Sequence, residues 1–124
     1  MARKALIIDD EVDLGQLLAE HLRRWGFEPT VLTEGKNAVD WVRREKPGLI
    51  LLDLMMPRMS GSEFRMVQKV DPLLCSVPVV LLSADGRIEE KARALETHGA
   101  IKKPIDLDQL LEVIQRFNVS KMPA

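Results

Sequence analysis

Short apolar runs alternate along the chain with stretches in which apolar residues recur every three or four positions. A continuous apolar run such as Leu49–Leu52 is typical of a strand that is buried on both faces of a sheet. Helical spacing, as at Leu14, Leu17 and Leu18, indicates a helix that covers such a sheet. The pattern predicts strands at 5–8, 28–32, 49–52 and 79–82, and a short fifth strand from residue 100, each followed by a helix.

Five strands that alternate with five helices predict one α/β domain whose parallel sheet is covered on both faces. The third helix, around 63–69, is expected to turn Phe64 and Val67 inward. Because crossovers between parallel strands are right-handed, the carboxyl ends of all strands lie along one edge of the sheet. Ligands bind at this edge, where the strand order reverses, so residues that directly follow strands are the candidates for chemistry.

Composition narrows the class of protein. The 124 residues suit one domain, and 46% hydrophobic with 30% charged residues is typical of a globular chain. A net charge of −1 without a polybasic stretch argues against direct binding to nucleic acid or an anionic membrane. Cys75 is the only cysteine, which excludes an internal disulfide and a thiolate metal site. The apolar runs are too short to span a membrane, and the N-terminus turns acidic before a signal-peptide core could form, so we expect a cytoplasmic location.

Five residues at the predicted strand ends could form a site: Asp9, Asp10, Asp53, Ser83 and Lys103. If the strand order is 2-1-3-4-5, the first and third strands are neighbours and the three aspartates meet. Three carboxylates at close range repel one another and need a compensating charge. Mg²⁺ supplies it, because it prefers oxygen ligands and leaves coordination positions for water or phosphate.

Four of these residues, all except Asp53, also have a simpler interpretation. Paired acids such as Asp9 and Asp10 can cap the following helix, whose dipole favours them. Glu11 is interpreted as a helix-start acid, Ser83 could be a helix N-cap, and Lys103 could be a solvated lysine. His21 and His98 lie away from the strand ends, and His98 is interpreted as a cation at a helix end. A third aspartate, a hydroxyl and a lysine at separate strand ends have no common structural reason to converge, which favours a site.

Four stretches match the motifs of one protein family in order and spacing: Ile7–Glu11, Leu51–Gly61, Ser83–Ala84 and Lys103–Pro104. On these stretches, and over residues 4–117, the chain resembles the receiver domain of two-component response regulators. The resemblance implies a flavodoxin-like, doubly wound (βα)5 fold with a five-stranded parallel sheet in the order 2-1-3-4-5. It also implies a receiver domain at 1–119 and a short tail at 120–124.

The resemblance implies a role for each site residue. Asp53 would accept a phosphoryl group as an acyl phosphate. Asp10 would bind Mg²⁺ directly and Asp9 through water, with Asp53 and the backbone carbonyl of Met55 as the remaining protein ligands; Mn²⁺ could substitute. Lys103 would pair with a phosphoryl oxygen, its peptide bond to Pro104 being usually cis in the family.

Ser83 would donate its hydroxyl to the attached phosphoryl group. The donor would be a phosphohistidine of a sensor histidine kinase or a phosphotransfer protein, and the output an unknown protein target. Such a domain promotes its own phosphorylation and dephosphorylation without being a conventional turnover enzyme. The family commonly has an aromatic residue where this chain has Ala100, and the run to Lys103 is shorter than usual. The usual coupling of an aromatic switch to Ser83 is therefore in doubt.

Other functions compete with this one. A receiver-like interaction module would use the same fold without phosphorylation, although the complete set of acids, Ser83 and Lys103 argues against it. A metal-dependent phosphohydrolase with an aspartate nucleophile would need a second acid two residues after Asp53, where this chain has Met55. A nucleotide-binding domain would need a glycine-rich loop after the first strand, which the sequence lacks.

Overall fold

The structure, a computed structural model, describes residues 3–54, 61–71 and 75–118. The expected domain boundary at 119 and the tail at 120–124 lie outside these ranges. The strands are β1 (Arg3–Ile8), β2 (Phe27–Leu32), β3 (Leu49–Asp53), β4 (Val79–Ser83) and β5 (Gly99–Lys102). The helices are α1 (Val12–Arg24), α2 (Ala38–Glu45), α3 (Gly61–Val70), α4 (Ile88–Ala94) and α5 (Leu107–Asn118), with a 3-10 turn at Gly35–Asn37 before α2.

The five strands form one parallel sheet in the order β2-β1-β3-β4-β5, which confirms the predicted fold. The strand order reverses between β1 and β3, where Ile8 lies opposite Leu52. On the other side of β3, Asp53 lies opposite Leu82, and Ser83 lies opposite Lys102 of β5. This register brings the residues that follow β1, β3, β4 and β5 to the same edge of the sheet.

Two apolar layers cover the sheet, one on each face. Along β1, Leu6 and Ile8 pack on one face, and Ala5 and Ile7 pack on the other. All residues of β3 are buried, as expected for a strand with helices on both sides. The first layer is completed by α2, α3 and α4, and the second by α1 and α5. Burying one such aliphatic side chain stabilises the fold by about 1.5–3 kcal/mol. The two packed layers therefore hold the ends of the strands in fixed positions.

Two residues that were expected to face inward are exposed. Leu17 of α1 is 43% exposed, while Leu18 and Leu22 carry the packing of that helix. Val67 of α3 is 38% exposed, so the expectation for it was wrong, although Phe64 is fully buried as expected. The inward face of α3 is instead shared with polar side chains, because their hydrogen-bond partners lie there.

These polar side chains are Arg65 and Gln68, both buried. Arg65 donates from Nε to the Leu95 carbonyl at 2.9 Å and from Nη2 to the Glu96 carbonyl at 2.6 Å. Its Nη1 donates to Oε1 of Gln68 at 2.6 Å, and Nε2 of Gln68 donates to the Val77 carbonyl at 3.1 Å. The last carbonyls of a helix have no partner within the helix, so Arg65 caps the carboxyl end of α4.

His98 directly precedes β5, and its contact with Val79 requires a neutral side chain, contrary to its interpretation as a helix-end cation. Its Nδ1 accepts a hydrogen bond of 3.0 Å from the Val79 amide, and its own amide donates to the Val79 carbonyl at 2.8 Å. Burial, together with the nearby Arg65 guanidinium, lowers the pKa of His98 below its ordinary value. An unprotonated Nδ1 is what the contact with Val79 requires.

Within the described ranges, no helix combines the length and the apolar character needed to cross a membrane.

Candidate functional site

An open pocket of about 480 Å³ lies at the carboxyl ends of the central strands. Acids, lysines and a hydroxyl line most of it: Asp10, Glu11, Asp53, Ser83, Ala84, Asp85, Lys91 and Lys103. It sits where the strand order reverses, which is where parallel sheets bind ligands. The structure therefore brings together the strand-end residues that the sequence indicated.

Three aspartates converge at this edge. Asp9 and Asp10 follow β1, and Asp53 is the last residue of β3. One carboxylate oxygen from each lies within 4.8 Å of the others. Asp9 and Asp53 are buried, while Asp10 is exposed toward the pocket opening. Two buried carboxylates beside a third can all stay ionised only when cations compensate them.

Asp9 has one satisfied and one unsatisfied oxygen. Its Oδ1 accepts a hydrogen bond of 2.8 Å from the Glu11 amide, which shapes the turn into α1. Its Oδ2 is fully buried and accepts no hydrogen bond from any described residue, although Nζ of Lys103 lies 3.1 Å away. A buried carboxylate oxygen left in this state is unfavourable unless a further cation or a water reaches it.

Lys103 provides the positive charge at the base of the cluster. Its Nζ lies 2.9 Å from Oε1 of Glu11, 3.1 Å from Oδ2 of Asp9 and 3.5 Å from Oδ2 of Asp53. Burial alone would lower the pKa of Lys103, but the close contacts of its ammonium with the carboxylates of Glu11 and Asp9, together with the charge of Asp53, raise it above its ordinary value. Lys103 therefore compensates part of the negative charge of the three carboxylates that it contacts.

The backbone around Lys103 fixes its position. Its amide donates to the Ser83 carbonyl at 2.8 Å, and its peptide bond to Pro104 is cis, as the resemblance implied. The residue directly follows β5, so the side chain starts at the same sheet edge as the acids. Lys103 is mostly buried, with 12% of its side chain exposed, so the alternative of a solvated lysine is wrong.

Glu11 does more than start a helix. It precedes α1 as the sequence predicted, and its carboxylate also makes the shortest contact of Lys103 with any of its three acid partners. Sequence reasoning missed this pair, since 92 residues separate the two positions.

Ser83 ends β4 and is buried. Its Oγ accepts a hydrogen bond of 3.1 Å from the Asp85 amide. It does not cap α4, because that helix begins at Ile88 with Arg87 at the N-cap position. Among the described residues, no acceptor takes the Ser83 hydroxyl proton, which leaves an O–H donor available in the pocket.

A second ion pair, between Asp85 and Lys91, lines the same pocket. Lys91 belongs to α4, and Asp85 belongs to the loop between β4 and α4. Sequence reasoning did not identify either residue, because a lysine six positions after an acid has no diagnostic pattern.

The acids fit a hard divalent cation. Three carboxylates with oxygens within 4.8 Å, one of them carrying an unsatisfied buried oxygen, offer the donors that Mg²⁺ prefers. The backbone carbonyl of Met55, which the resemblance added to the ligands, lies outside the described residues.

Comparison with known proteins gives a consistent result. The sequence profile described as the response regulator receiver domain matches residues 5–115. The phosphate regulon transcriptional regulatory protein PhoB of Klebsiella pneumoniae is 36% identical over 118 residues, covering 93% of this chain and 51% of that protein. The DNA-binding response regulator MtrA of Mycolicibacterium paratuberculosis is 35% identical over 114 residues, covering 90% of this chain and 49% of that protein. The chain thus spans about half the length of these curated relatives.

Two solved structures have a fold similar to that of this chain. The chemotaxis protein CheY4 of Vibrio cholerae superposes with a TM-score of 0.85 at 25% identity, over 94% of this chain and 99% of that one. The receiver domain of a signal transduction histidine kinase from Syntrophus aciditrophicus also gives 0.85, at 26% identity, over 99% of this chain and 95% of that one.

Proposed function

The chain belongs to the response regulator receiver family of two-component signalling, and from this we propose that it is a Mg²⁺-dependent phosphoacceptor. Asp53 would take a phosphoryl group from the phosphohistidine of a sensor histidine kinase or a phosphotransfer protein. One observation carries the proposal: an oxygen of the buried Asp53 carboxylate lies within 4.8 Å of oxygens of Asp9 and Asp10, and Nζ of Lys103 lies 3.5 Å from Asp53 Oδ2. That arrangement suits a nucleophile whose charge must be compensated during transfer.

The chemistry is a displacement at phosphorus. A carboxylate oxygen of Asp53 forms a bond to phosphorus while the bond from phosphorus to the imidazole nitrogen of the donor breaks, and the electron pair stays on that nitrogen. Phosphoryl transfer passes through a loose transition state, so positioning and charge compensation supply most of the catalysis. Lys103, with Nζ 3.5 Å from Asp53 Oδ2, would stabilise negative charge on the transferring oxygens. Ser83 would donate its available O–H to one of them.

The metal ligands are proposed in the same way. Asp10 and Asp53 would bind Mg²⁺ directly, Asp9 would act through water, and the carbonyl of Met55 would complete the protein ligands, with Mn²⁺ as a substitute. When bound, Mg²⁺ neutralises the carboxylates and the oxygens of the transferring group. The convergence of the three carboxylates, with oxygens within 4.8 Å of one another, supports a cation at this position.

Output is proposed to pass through protein contacts. The curated relatives are named as transcriptional and DNA-binding regulators, and this chain spans only about half of their length. With a net charge of −1, the chain is expected to act on an unknown protein target without touching nucleic acid or a membrane itself. We further propose that it is a cytoplasmic switch and not a conventional turnover enzyme.

Intact-mass spectrometry with a small phosphodonor tests the proposal. Phosphoramidate should add one phosphoryl group in the presence of Mg²⁺ and none with the metal chelated. Asp53→Asn should abolish the adduct, whereas Asp40→Asn, at a highly exposed acid of α2, should retain it. A wild-type protein that is never modified would favour the alternative of an interaction module that acts without phosphorylation.

A further inference from the structure

A second lysine reaches the pocket that holds the aspartates. Lys91 is the fourth residue of α4 and lines the same pocket as Asp53, Ser83 and Lys103. Helical side chains lean toward the amino end of their helix, so the stem of Lys91 runs back toward the loop between β4 and α4. None of the roles proposed above uses this cation.

Asp85 holds Lys91 in its present position. Nζ of Lys91 donates to Oδ2 of Asp85, whose Oδ1 accepts a hydrogen bond of 2.8 Å from the Arg87 amide. The amide of Asp85 in turn donates to Oγ of Ser83 at 3.1 Å. A chain of contacts therefore runs from α4 through Asp85 to the hydroxyl at the end of β4.

The ion pair between Lys91 and Asp85 can be broken more easily than the contacts of Lys103 with its acid partners. The side chains of Lys91 and Asp85 are 35% and 30% exposed, whereas that of Lys103 is 12% exposed. Ion pairs that water reaches are screened and contribute little to stability. Among the described residues Lys91 has Asp85 as its one ion-pair partner, while Lys103 is shared by three carboxylates.

Phosphorylation would change the balance of charge in the pocket. Four acids and two lysines line it in the present state. A phosphoryl group carries roughly 1.5–2 negative charges near neutral pH and offers three strong acceptor oxygens. Because Lys103 is already shared by three carboxylates, Lys91 is the lining cation that can more easily change its partner. A dianion attracts it more strongly than the single charge of Asp85 does.

We propose that Lys91 is a phosphoryl-binding residue which exchanges Asp85 for the phosphoryl group on Asp53. This inference rests on the proposed function. Exchange releases Asp85 and, with it, the loop whose amide contacts Ser83, so the hydroxyl and the second lysine reach the phosphoryl group together. The carboxyl end of α4 stays fixed, since Arg65 binds the Leu95 and Glu96 carbonyls. In one state Lys91 contacts Asp85, and in the other it contacts the phosphoryl group. Because the phosphoryl group makes more contacts in the second state, phosphorylation shifts the population toward that state.

Binding of beryllofluoride, a mimic of the phosphoryl group, measures the exchange in the presence of Mg²⁺. Lys91→Met should weaken binding roughly tenfold, as expected for the loss of one hydrogen bond to a charged group. Lys91→Arg should restore most of the affinity. Arg93→Met removes an exposed cation from the same helix, outside the pocket, and should leave the affinity within about twofold, because salt screens distant exposed charges.

A double-mutant cycle separates exchange from a general effect of charge. Asp85→Asn should tighten beryllofluoride binding in the wild-type background and have little effect in Lys91→Met, because only a present lysine can be released. Additive effects of the two changes, or unchanged affinity in Lys91→Met, would overturn the exchange while leaving the phosphoacceptor function intact. A wild-type protein that binds no beryllofluoride and accepts no phosphoryl group would overturn both.

Discussion

Replacing Arg65 by Met tests whether the Arg65 side chain holds the carboxyl end of α4 in place. The substitution removes three hydrogen bonds from a side chain that is 4% exposed. Oε1 of Gln68 loses a contact of 2.6 Å in a fully buried side chain, which costs about 1–3 kcal/mol. The Leu95 and Glu96 carbonyls are closer to solvent, and losing a partner there costs about 0.5–1.5 kcal/mol each. The expected loss in the free energy of unfolding is therefore about 2–6 kcal/mol.

Urea denaturation measures this loss as a lower midpoint with an unchanged slope. Arg116→Met is the matched control, because Arg116 is an exposed arginine of α5 paired with Glu112 one turn away. Such exposed pairs contribute about 0.5 kcal/mol or less. Arg65→Lys should fall between the two, since one ammonium cannot reach all three acceptors as the planar guanidinium does. If Arg65→Met unfolds at the same urea concentration as Arg116→Met, the guanidinium does not hold α4 as described.

Three further predictions concern charge and switching. Asp10→Asn should weaken Mg²⁺ binding yet leave the metal-free fold at least as stable, because carboxylate repulsion falls; a clearly lower melting temperature without metal would contradict the crowding of the acids. The pKa of His98 in the folded protein lies below its unfolded value of about 6.5. The contribution of the neutral His98 side chain to the stability of the fold is therefore complete above the unfolded pKa and is lost as the pH falls through the folded pKa. Urea midpoints from about pH 7.5 to 5 should therefore decline more steeply in the wild type than in His98→Gln. Beryllofluoride should shift amide resonances mainly within 84–90. Large shifts centred on α5, with no change within 84–90, would contradict the expectation that activation is confined mainly to this segment.

Periodicity in the sequence predicted the five strands and their parallel arrangement, and the resemblance to the receiver family supplied the order of the strands. The uninterrupted run Leu49–Leu52 identified a strand covered on both faces, and the structure buries it completely. Because all strands are parallel, the positions after them meet at one edge, which is why Asp9, Asp53 and Lys103 could be brought together without coordinates. The ends of the strands follow from the local pattern of apolar and polar residues, which can be read directly from the sequence.

Contacts that depend on side-chain reach could not be predicted in this way. Arg65 occupies an inward position of α3 because carbonyls of Leu95 and Glu96, about thirty residues away, accept its protons. No spacing rule signals that approach, so the apolar Val67 was the expected inward residue. The pair of Asp85 and Lys91 was missed for the same reason: a side chain's partner depends on rotamers and on how a loop meets a helix.

Mapping the modified residue shows directly whether Asp53 is the phosphoacceptor. Borohydride reduces an acyl phosphate of aspartate to homoserine, so peptide sequencing by mass spectrometry identifies the residue that carried the phosphoryl group. After treatment with phosphoramidate and Mg²⁺, we expect homoserine at position 53 and aspartate at positions 9, 10 and 85. Homoserine at any of those other acids, with Asp53 unmodified, would show that the buried carboxylate at the end of β3 is not the phosphoacceptor.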